Sequence, residues 1–337
     1  MLDLSNGENN CKWIILPCSG NSPGKRYGHT MCYMKPYLMT FGGNVGNRIT
    51  NDIHLLNVDD GIFEWKKLET TGEIPCSRMY HASSVCKHGG ASGMMIVYGG
   101  RGESSNALCD TWGLRKHRNG SWDWLKAPYS NNYLPLKRYQ HSMAFYHNFM
   151  IVLGGRTDDD LKNIPIEIYD TESSEWIELA FFNKFRHSSW IVDNSLYTHG
   201  GFDYVSPMIS KNDLVMIDII KLMNTNISLS KKLDKLSDMI NKSGQKNKET
   251  TNNTNNTNST NLNISTGSAS ATQGSQNTSK NPTPNISPTN INNNNQIMQN
   301  HSLGKYSNGN PANSNTEAQL NLFNKINLNG KYNIFIL

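Results

Sequence analysis

At 337 residues with 36% hydrophobic content, the chain could hold two average domains or one large all-β domain, yet its mean hydropathy of −0.58 is low for a chain folded throughout. A net charge of +5 comes without a dense basic block or interleaved aromatics, which argues against nucleic-acid partners, and no apolar run approaches the roughly 18 residues of a membrane span. The six cysteines (Cys11, Cys18, Cys32, Cys76, Cys86 and Cys109) form no CxxC pair and no His/Cys metal spacing. They read as reduced, mostly part-buried thiols of an intracellular protein, cytoplasmic with the nucleus also open to it.

The opening stretch, MLDLSNGENNCKW, has no signal-peptide core. It aligns instead with HLLNVDDGIFEW further on: Trp13, Gly20, Pro23 and Arg26 recur at the same spacing as Trp65, Gly72, Pro75 and Arg78. The opening is thus expected to supply the third and fourth strands of a repeat unit, so that Met1 stands inside a unit: either C-terminal strands supply the other half and close a ring, or, the reading favoured with only four units present, the chain is a fragment. Four apolar runs then end in Gly-Gly. They are YLMTFGG (Gly42, Gly43), MMIVYGG (Gly99, Gly100), FMIVLGG (Gly154, Gly155) and SLYTHGG (Gly200, Gly201), at a period of roughly 50 residues, the sign of an internal repeat. Each run is a buried-strand candidate.

Ahead of the doublets stand Arg26 and His29, Arg78 and His81, Arg138 and His141, and a contracted pair, Arg186 and His187. Behind them come NDIHLLNV, CDTWGL, IPIEIYD and NDLVMID, each a further strand, and Trp65, Trp124 and Trp176 close three of the units. Glycine doublets let backbones crowd together and adopt positive φ, and a tryptophan fills the wedge between neighbouring sheets. Asn119-Gly120 marks a hairpin between the third and fourth strands of one unit.

After Ile220 the pattern stops. Leu229, Leu233, Leu236 and Ile240 share one face of an expected helix, which is either a solvated helix leading into a linker or a partner-docking helix. The domain reading is therefore repeats over 1–222, a short amphipathic helix and linker over 223–243, and a disordered low-complexity segment rich in Asn, Ser and Thr over 244–325. An apolar strand-like end follows over 326–337. Its NGKYNIFIL either begins another unit or is a chance apolar run.

This motif set resembles kelch repeats, which build β-propellers. The fold expected is all-β, a kelch-type propeller with about four of six blades, followed by the disordered Asn-rich segment. TWGLRKHRNGSWDW with RYQHS, and RYGHTM with YLMTFGG, are most similar to the kelch region of protein Ser/Thr phosphatases with kelch-like domains, a plant and apicomplexan family. The resemblance implies a full-length phosphatase with two metal ions, of the Mn/Fe kind, held by GDxHG, GDxxDRG and GNHE motifs. This chain has no Gly-Asp dipeptide and no GNHE, so no catalytic residue, metal ligand or cofactor is expected in it, and enzyme activity would belong to the longer polypeptide. His88 and His199, each followed by Gly-Gly, read as loop and strand-end residues.

Propellers bind partners through loops. The loops after the glycine doublets carry Arg48, Arg101, Glu103, Arg156, Asp158, Asp159, Asp160, Phe202, Asp203 and Tyr204. Arg48, Arg101 and Arg156 could form a cationic ring for an acidic or phosphorylated protein partner. The repeated Arg and His pairs are expected to tie each strand start to the adjacent blade, and Trp13, Trp65, Trp124 and Trp176 to be core wedges. Function then reads as a protein-interaction module that recruits substrates or regulators to a phosphatase. The alternative is a free-standing kelch adaptor linked to the cytoskeleton or to ubiquitin ligation.

Overall fold

The computed structural model describes residues 2–3, 11–59, 61–130, 132–159, 161, 163–254 and 323–326. They fall into two compact units. One holds the repeats through Asp238 together with the strand Phe323–Ile326; the other begins at Met239, and its described part is helical.

Four sheets make a propeller arrangement, each built on an antiparallel meander; Ser19–Gly20 adds a short parallel strand to the outer edge of the first, and Arg78–Met79 pairs with the second. The first blade contains Thr30–Met34, Tyr37–Phe41, Ile53–Asn57 and Glu64–Lys67. The second contains Ala82–Val85, Met95–Gly102, Ala107–Lys116 and Trp122–Lys126. The third contains Ser142–Tyr146, Phe149–Leu153, Pro165–Asp170 and Glu175–Phe181. The fourth runs Ser188–Val192, Ser195–His199 and Leu214–Asp218, and takes its last strand from Phe323–Ile326. Ahead of the first blade, Leu2–Asp3 pairs antiparallel with Lys12–Trp13 in the register Leu2 to Trp13. The same partnership joins Leu56 to Trp65 in the first blade.

The second strands of the two middle blades are largely apolar and buried because both faces are covered. Side chains alternate across a strand, so Met95 and Val97 pack toward the first blade while Ile96 and Tyr98 pack toward the third. In the third blade, Met150 and Val152 face the second while Phe149, Ile151 and Leu153 face the fourth. The core is a series of joints between blades.

Two joints close on tryptophan. Trp124 of the second blade lies 5.1 Å from Phe41 of the first, and Trp176 of the third lies 5.1 Å from Tyr98 of the second. At roughly 150–250 Å² per aromatic ring and about 25 cal/mol per Å², each wedge contributes about 4–6 kcal/mol before ordering costs. The wedge reading fails for the other two. Trp65 is half-buried and Trp13 is 81% exposed. A wedge needs the blade before it, and among the described residues no four-stranded sheet precedes the first blade.

The third joint has no tryptophan. Helix α1 (Ile219–Met223) and helix α2 (Ile227–Thr254) follow the third strand of the fourth blade. Ile219, Leu222, Met223, Leu229 and Leu233 join Ile151, Leu153, Ile166 and Ile168 of the third blade and Leu196, Val215 and Ile217 of the fourth in one core. Asp218 caps α1 by accepting from the Lys221 N–H at 2.9 Å. The Asn226 side chain caps α2, accepting from the N–H groups of Ser228 and Leu229. Lys232 then reaches the third blade, donating to Asp170 Oδ2, Ser173 Oγ and Glu175 Oε2 at 2.6 Å each.

Three boundaries read from the sequence move accordingly. Helix α1 crosses the end of the 1–222 segment, and α2 runs beyond 243 to Thr254, since a capped helix propagates at little cost per residue once nucleated. The strand Phe323–Ile326 straddles the boundary, its first three residues falling in the stretch read as disordered to 325. It satisfies the backbone edge that Leu214–Asp218 would otherwise leave unpaired. The stretch NGKYNIFIL lies outside the described residues.

Candidate functional site

The repeated charged residues form the scaffold beneath the loops. Arg26 Nη1 donates to the Gly42 carbonyl at 2.9 Å and to Asp52 at 2.6 Å. Arg78 Nη1 does the same with Gly99 at 3.0 Å and Asp110 at 2.8 Å. Arg138 reaches Gly154 at 2.9 Å and Glu167 at 2.7 Å, with both charged side chains fully buried. Each arginine thus joins its own glycine doublet to a carboxylate at the start of the third strand. A buried charge is tolerable when its hydrogen bonds are made in this way.

The fourth blade corrects one assignment. Lys184, not Arg186, occupies the arginine position. Its Nζ pairs with Asp213 at 2.5 Å, and its carbonyl accepts from the Gly155 N–H at 2.8 Å. The carbonyls of Arg78 and Arg138 accept from Gly43 and Gly100 at 2.8 and 2.9 Å in the same manner. The fourth unit is therefore not contracted. Arg186 falls at the position of Gly28, Tyr80 and Gln140, all at φ between 55° and 67°. These four residues form a backbone ladder from blade to blade: Tyr80 N–H to Gly28, Gln140 N–H to Tyr80, and Arg186 N–H to Gln140, at 2.7, 2.8 and 2.9 Å.

The histidines cross the joints. His81 Nε2 lies 2.8 Å from Thr30 Oγ1 of the preceding blade, and His187 Nε2 lies 2.7 Å from Ser142 Oγ. His141 packs edge-on to Tyr98 at 5.2 Å; the residue that matches Thr30 and Ser142 there is Ala82, which has no hydroxyl. Burial holds the His187 imidazole down to about 3. Burial, reinforced by Arg78, keeps His81 well below its usual range. His29 is only partly covered, and burial lowers it, helped by Arg26.

The doublets need glycine for reasons visible at Gly99 and Gly100. Both are left-handed, at φ 60° and 101°. A Cβ on Gly99 would meet the Arg138 carbonyl at 2.8 Å, and one on Gly100 would meet His81 Cβ at 2.7 Å. At Gly200 the nearest atom would be 3.6 Å away, because no fifth blade stands beside it among the described residues.

Above this scaffold lies the loop face. The residue after each doublet pairs back across its own blade: Asn44 with Tyr27, Arg101 with Met79, Arg156 with Tyr139, and Phe202 with Phe185. Arg101 and Arg156 consequently share one ring, their guanidinium carbons 5.1 and 6.0 Å from the centroid of Tyr139. Arg156 also stands 5.2 Å over Phe185. Cation–π stacking fixes both arginines while leaving donors toward solvent. Arg48 does not join them. It is exposed in a first-blade turn closed by the Val45 N–H at 3.0 Å, several residues beyond the equivalent position, so two arginines rather than three meet.

The acidic residues have separate duties. Asp158 Oδ2 accepts from the Ala107 N–H of the second blade at 2.5 Å. Asp203 pairs with Lys211 at 2.9 Å, and that hydrogen bond holds its carboxyl low. Glu103 and Asp159 are exposed, and Asp160 lies outside the described residues. Tyr204 donates to the Gly155 carbonyl at 2.6 Å, and burial pushes its hydroxyl up. Between the third- and fourth-blade loops lies a groove of about 780 Å³, lined by Arg156, Asp159, Phe185, Arg186, Tyr204 and Met208 among others. Met208 and Lys184 escape a reading that looks only for repeated arginines.

A second cavity of about 540 Å³ lies among the first strands, with Cys32, Ser83, Met143, Ser189, His88 and His147 on its walls. Among the described residues no group of three or more His, Cys, Asp or Glu could hold a metal ion. Among the described residues, no helix is long and apolar enough to cross a membrane.

Residues 1–89 and 48–235 match the KLHDC2/KLHL20/DRC7 kelch-repeats domain. Similar proteins include the serine/threonine-protein phosphatase BSL2 of Arabidopsis thaliana, 34% identical over 184 residues, which span 53% of this chain and 17% of that protein. Dynein regulatory complex subunit 7 of Chlamydomonas reinhardtii is 30% identical over 132 residues, 39% of this chain and 11% of that one. Human kelch domain-containing protein 10 is 23% identical over 197 residues, 56% of this chain and 43% of its own. The chain thus spans less than half the length of each of these relatives.

Proposed function

The chain belongs to the kelch-repeat family, and on that premise we propose that its propeller is the partner-recruiting part of a kelch-type Ser/Thr phosphatase. The 34% identity to a kelch-containing phosphatase over 53% of the chain carries this reading. In it, the loop face brings phosphoprotein substrates or regulators to a dimetal phosphatase domain encoded in the same longer polypeptide. The partner is acidic or phosphorylated, because Arg101 and Arg156 are stacked on Tyr139 with donors facing solvent. The setting is cytoplasmic, with access to the nucleus.

An antibody raised against residues 100–180 tests the reading in the source cells. The expected result is a species well above 37.9 kDa, whose immunoprecipitate releases phosphate from a phosphoserine peptide and loses that activity with a metal chelator. A single band near 37.9 kDa with no phosphatase activity would contradict it and favour a free-standing adaptor.

A further inference from the structure

The fourth-blade loop after Gly201 carries a feature that a cationic face alone leaves unexplained. Val205 and Met208 are 91% and 90% exposed, and Ile209 beside them is also exposed. Loop tips in water are usually Gly, Pro, Asn, Asp or Ser, and clustered exposed apolar side chains mark interaction sites. This loop is pinned rather than slack. Tyr204 donates to Gly155, the Ser206 N–H to Asp203 at 2.6 Å, the Ile209 N–H to Ser206 at 3.0 Å, and the Lys211 N–H to Gly201 at 2.8 Å. Phe185 and Phe202 stack beneath it at 5.6 Å. The ordering cost of presenting these apolar groups is met before any partner arrives.

The same groove that Met208 lines also holds Arg156. Among the described residues Arg156 makes no ion pair, and Asp158 beside it is committed to the Ala107 N–H. Arg186 is steered by Gln140, whose amide oxygen, turned toward it, accepts from Nε and Nη2 at 2.9 and 3.0 Å. The groove therefore sets a stacked arginine, without an ion pair among the described residues, beside an apolar ledge. Asp158 and Asp159 line it as well, which disfavours a run of acids and favours a single anion.

We infer that this groove takes a protein segment in which one anionic side chain, carboxylate or phosphate, stands next to a large apolar side chain. The anion pairs with Arg156, and the apolar group packs on Met208 in the groove wall. This rests on the loop face being the partner-binding surface and goes further by placing the contact at the third and fourth blades. Its volume of about 780 Å³ is within the range of cavities that bury a compact ligand.

The test is selection of a random dodecapeptide phage library on the immobilised full chain. Enriched sequences are then made as fluorescein-labelled peptides and titrated by fluorescence polarisation. The expected peptides combine one Asp or Glu with a neighbouring Leu, Ile, Met or Phe. Met208→Asp and Arg156→Glu should each weaken them at least ten-fold, with unchanged thermal melting since both side chains are exposed. Phosphoserine in place of the acid should retain binding, and lysine should abolish it.

Tolerance of lysine, failure to enrich any peptide, or peptides indifferent to Met208→Asp would each overturn the inference. If such peptides are still lost on Arg101→Glu, the broader loop-face reading survives while this groove is wrong. If no loop-face variant weakens them, both fall.

Discussion

The joint between the second and third blades and the joint between the third and fourth do the same work with different material. The former is closed by one ring, Trp176, set against Tyr98 and Tyr169 at 5.1 Å each. The latter has no such ring and is closed by α1 and α2, which carry Leu222, Met223, Leu229 and Leu233 into the space. What a propeller joint requires is apolar volume at a set place, not a particular residue. Close packing leaves no room for an empty wedge, so a blade without its tryptophan must recruit something else. Here the recruit is a segment that resembles a linker.

The comparison can be broken at either side. The largest effect is expected from Trp176→Ala, a loss of about 3–5 kcal/mol in denaturant unfolding, because the ring is almost wholly buried. Leu229→Ala should cost about 2–4 kcal/mol, although a sequence reading places Leu229 outside the repeats. If α2 were only a solvated helix, Leu229→Ala would shift stability by less than about 0.5 kcal/mol.

Acid strikes what both joints share. The folded His187 titrates at about 3 against 6.5 when unfolded, so the unfolded chain binds the proton first. The stability due to the neutral histidine is complete above about pH 6.5 and falls as pH drops from there toward about 3, by about 1.4 kcal/mol per pH unit. Unfolding midpoints in denaturant at pH 7 and pH 5 should show this loss, and Ser142→Ala should alter it at the third joint alone. The smallest effect is expected at Trp13, where alanine should change stability by less than about 0.5 kcal/mol, since 81% of that side chain is exposed. A large loss at Trp13 would mean that its ring is buried in the working protein.

The repeat itself was legible because glycine doublets, buried arginines and closing tryptophans are local signals that recur in register. What escaped depends on neighbours distant in sequence. Lys184 replaces an arginine and is recognised only by its bond to Asp213 and by its carbonyl's place in the joint. The fates of Trp13 and Trp176 differ although both stand at the same repeat position, since burial depends on the blade before each. Phe323–Ile326 reads as a polar-flanked scrap until the bare edge of Leu214–Asp218 is known. On the loop face, the arginines were visible in sequence, but their convergence on Tyr139, and the separation of Arg48 from them, required the pairing of each post-doublet residue across its blade.

Hydrogen exchange on the full chain, comparing the unaltered protein with Leu229→Asp, tests most directly whether α2 is a working part of the propeller. A charge at this buried helix position should release α2 from the third joint. The account predicts faster exchange in Phe149–Leu153 and Ser195–His199, the strands that contribute Ile151, Leu153 and Leu196 to that core, with protection in Tyr37–Phe41 retained. Unchanged exchange in both strands would show that the helix merely follows the propeller and closes nothing.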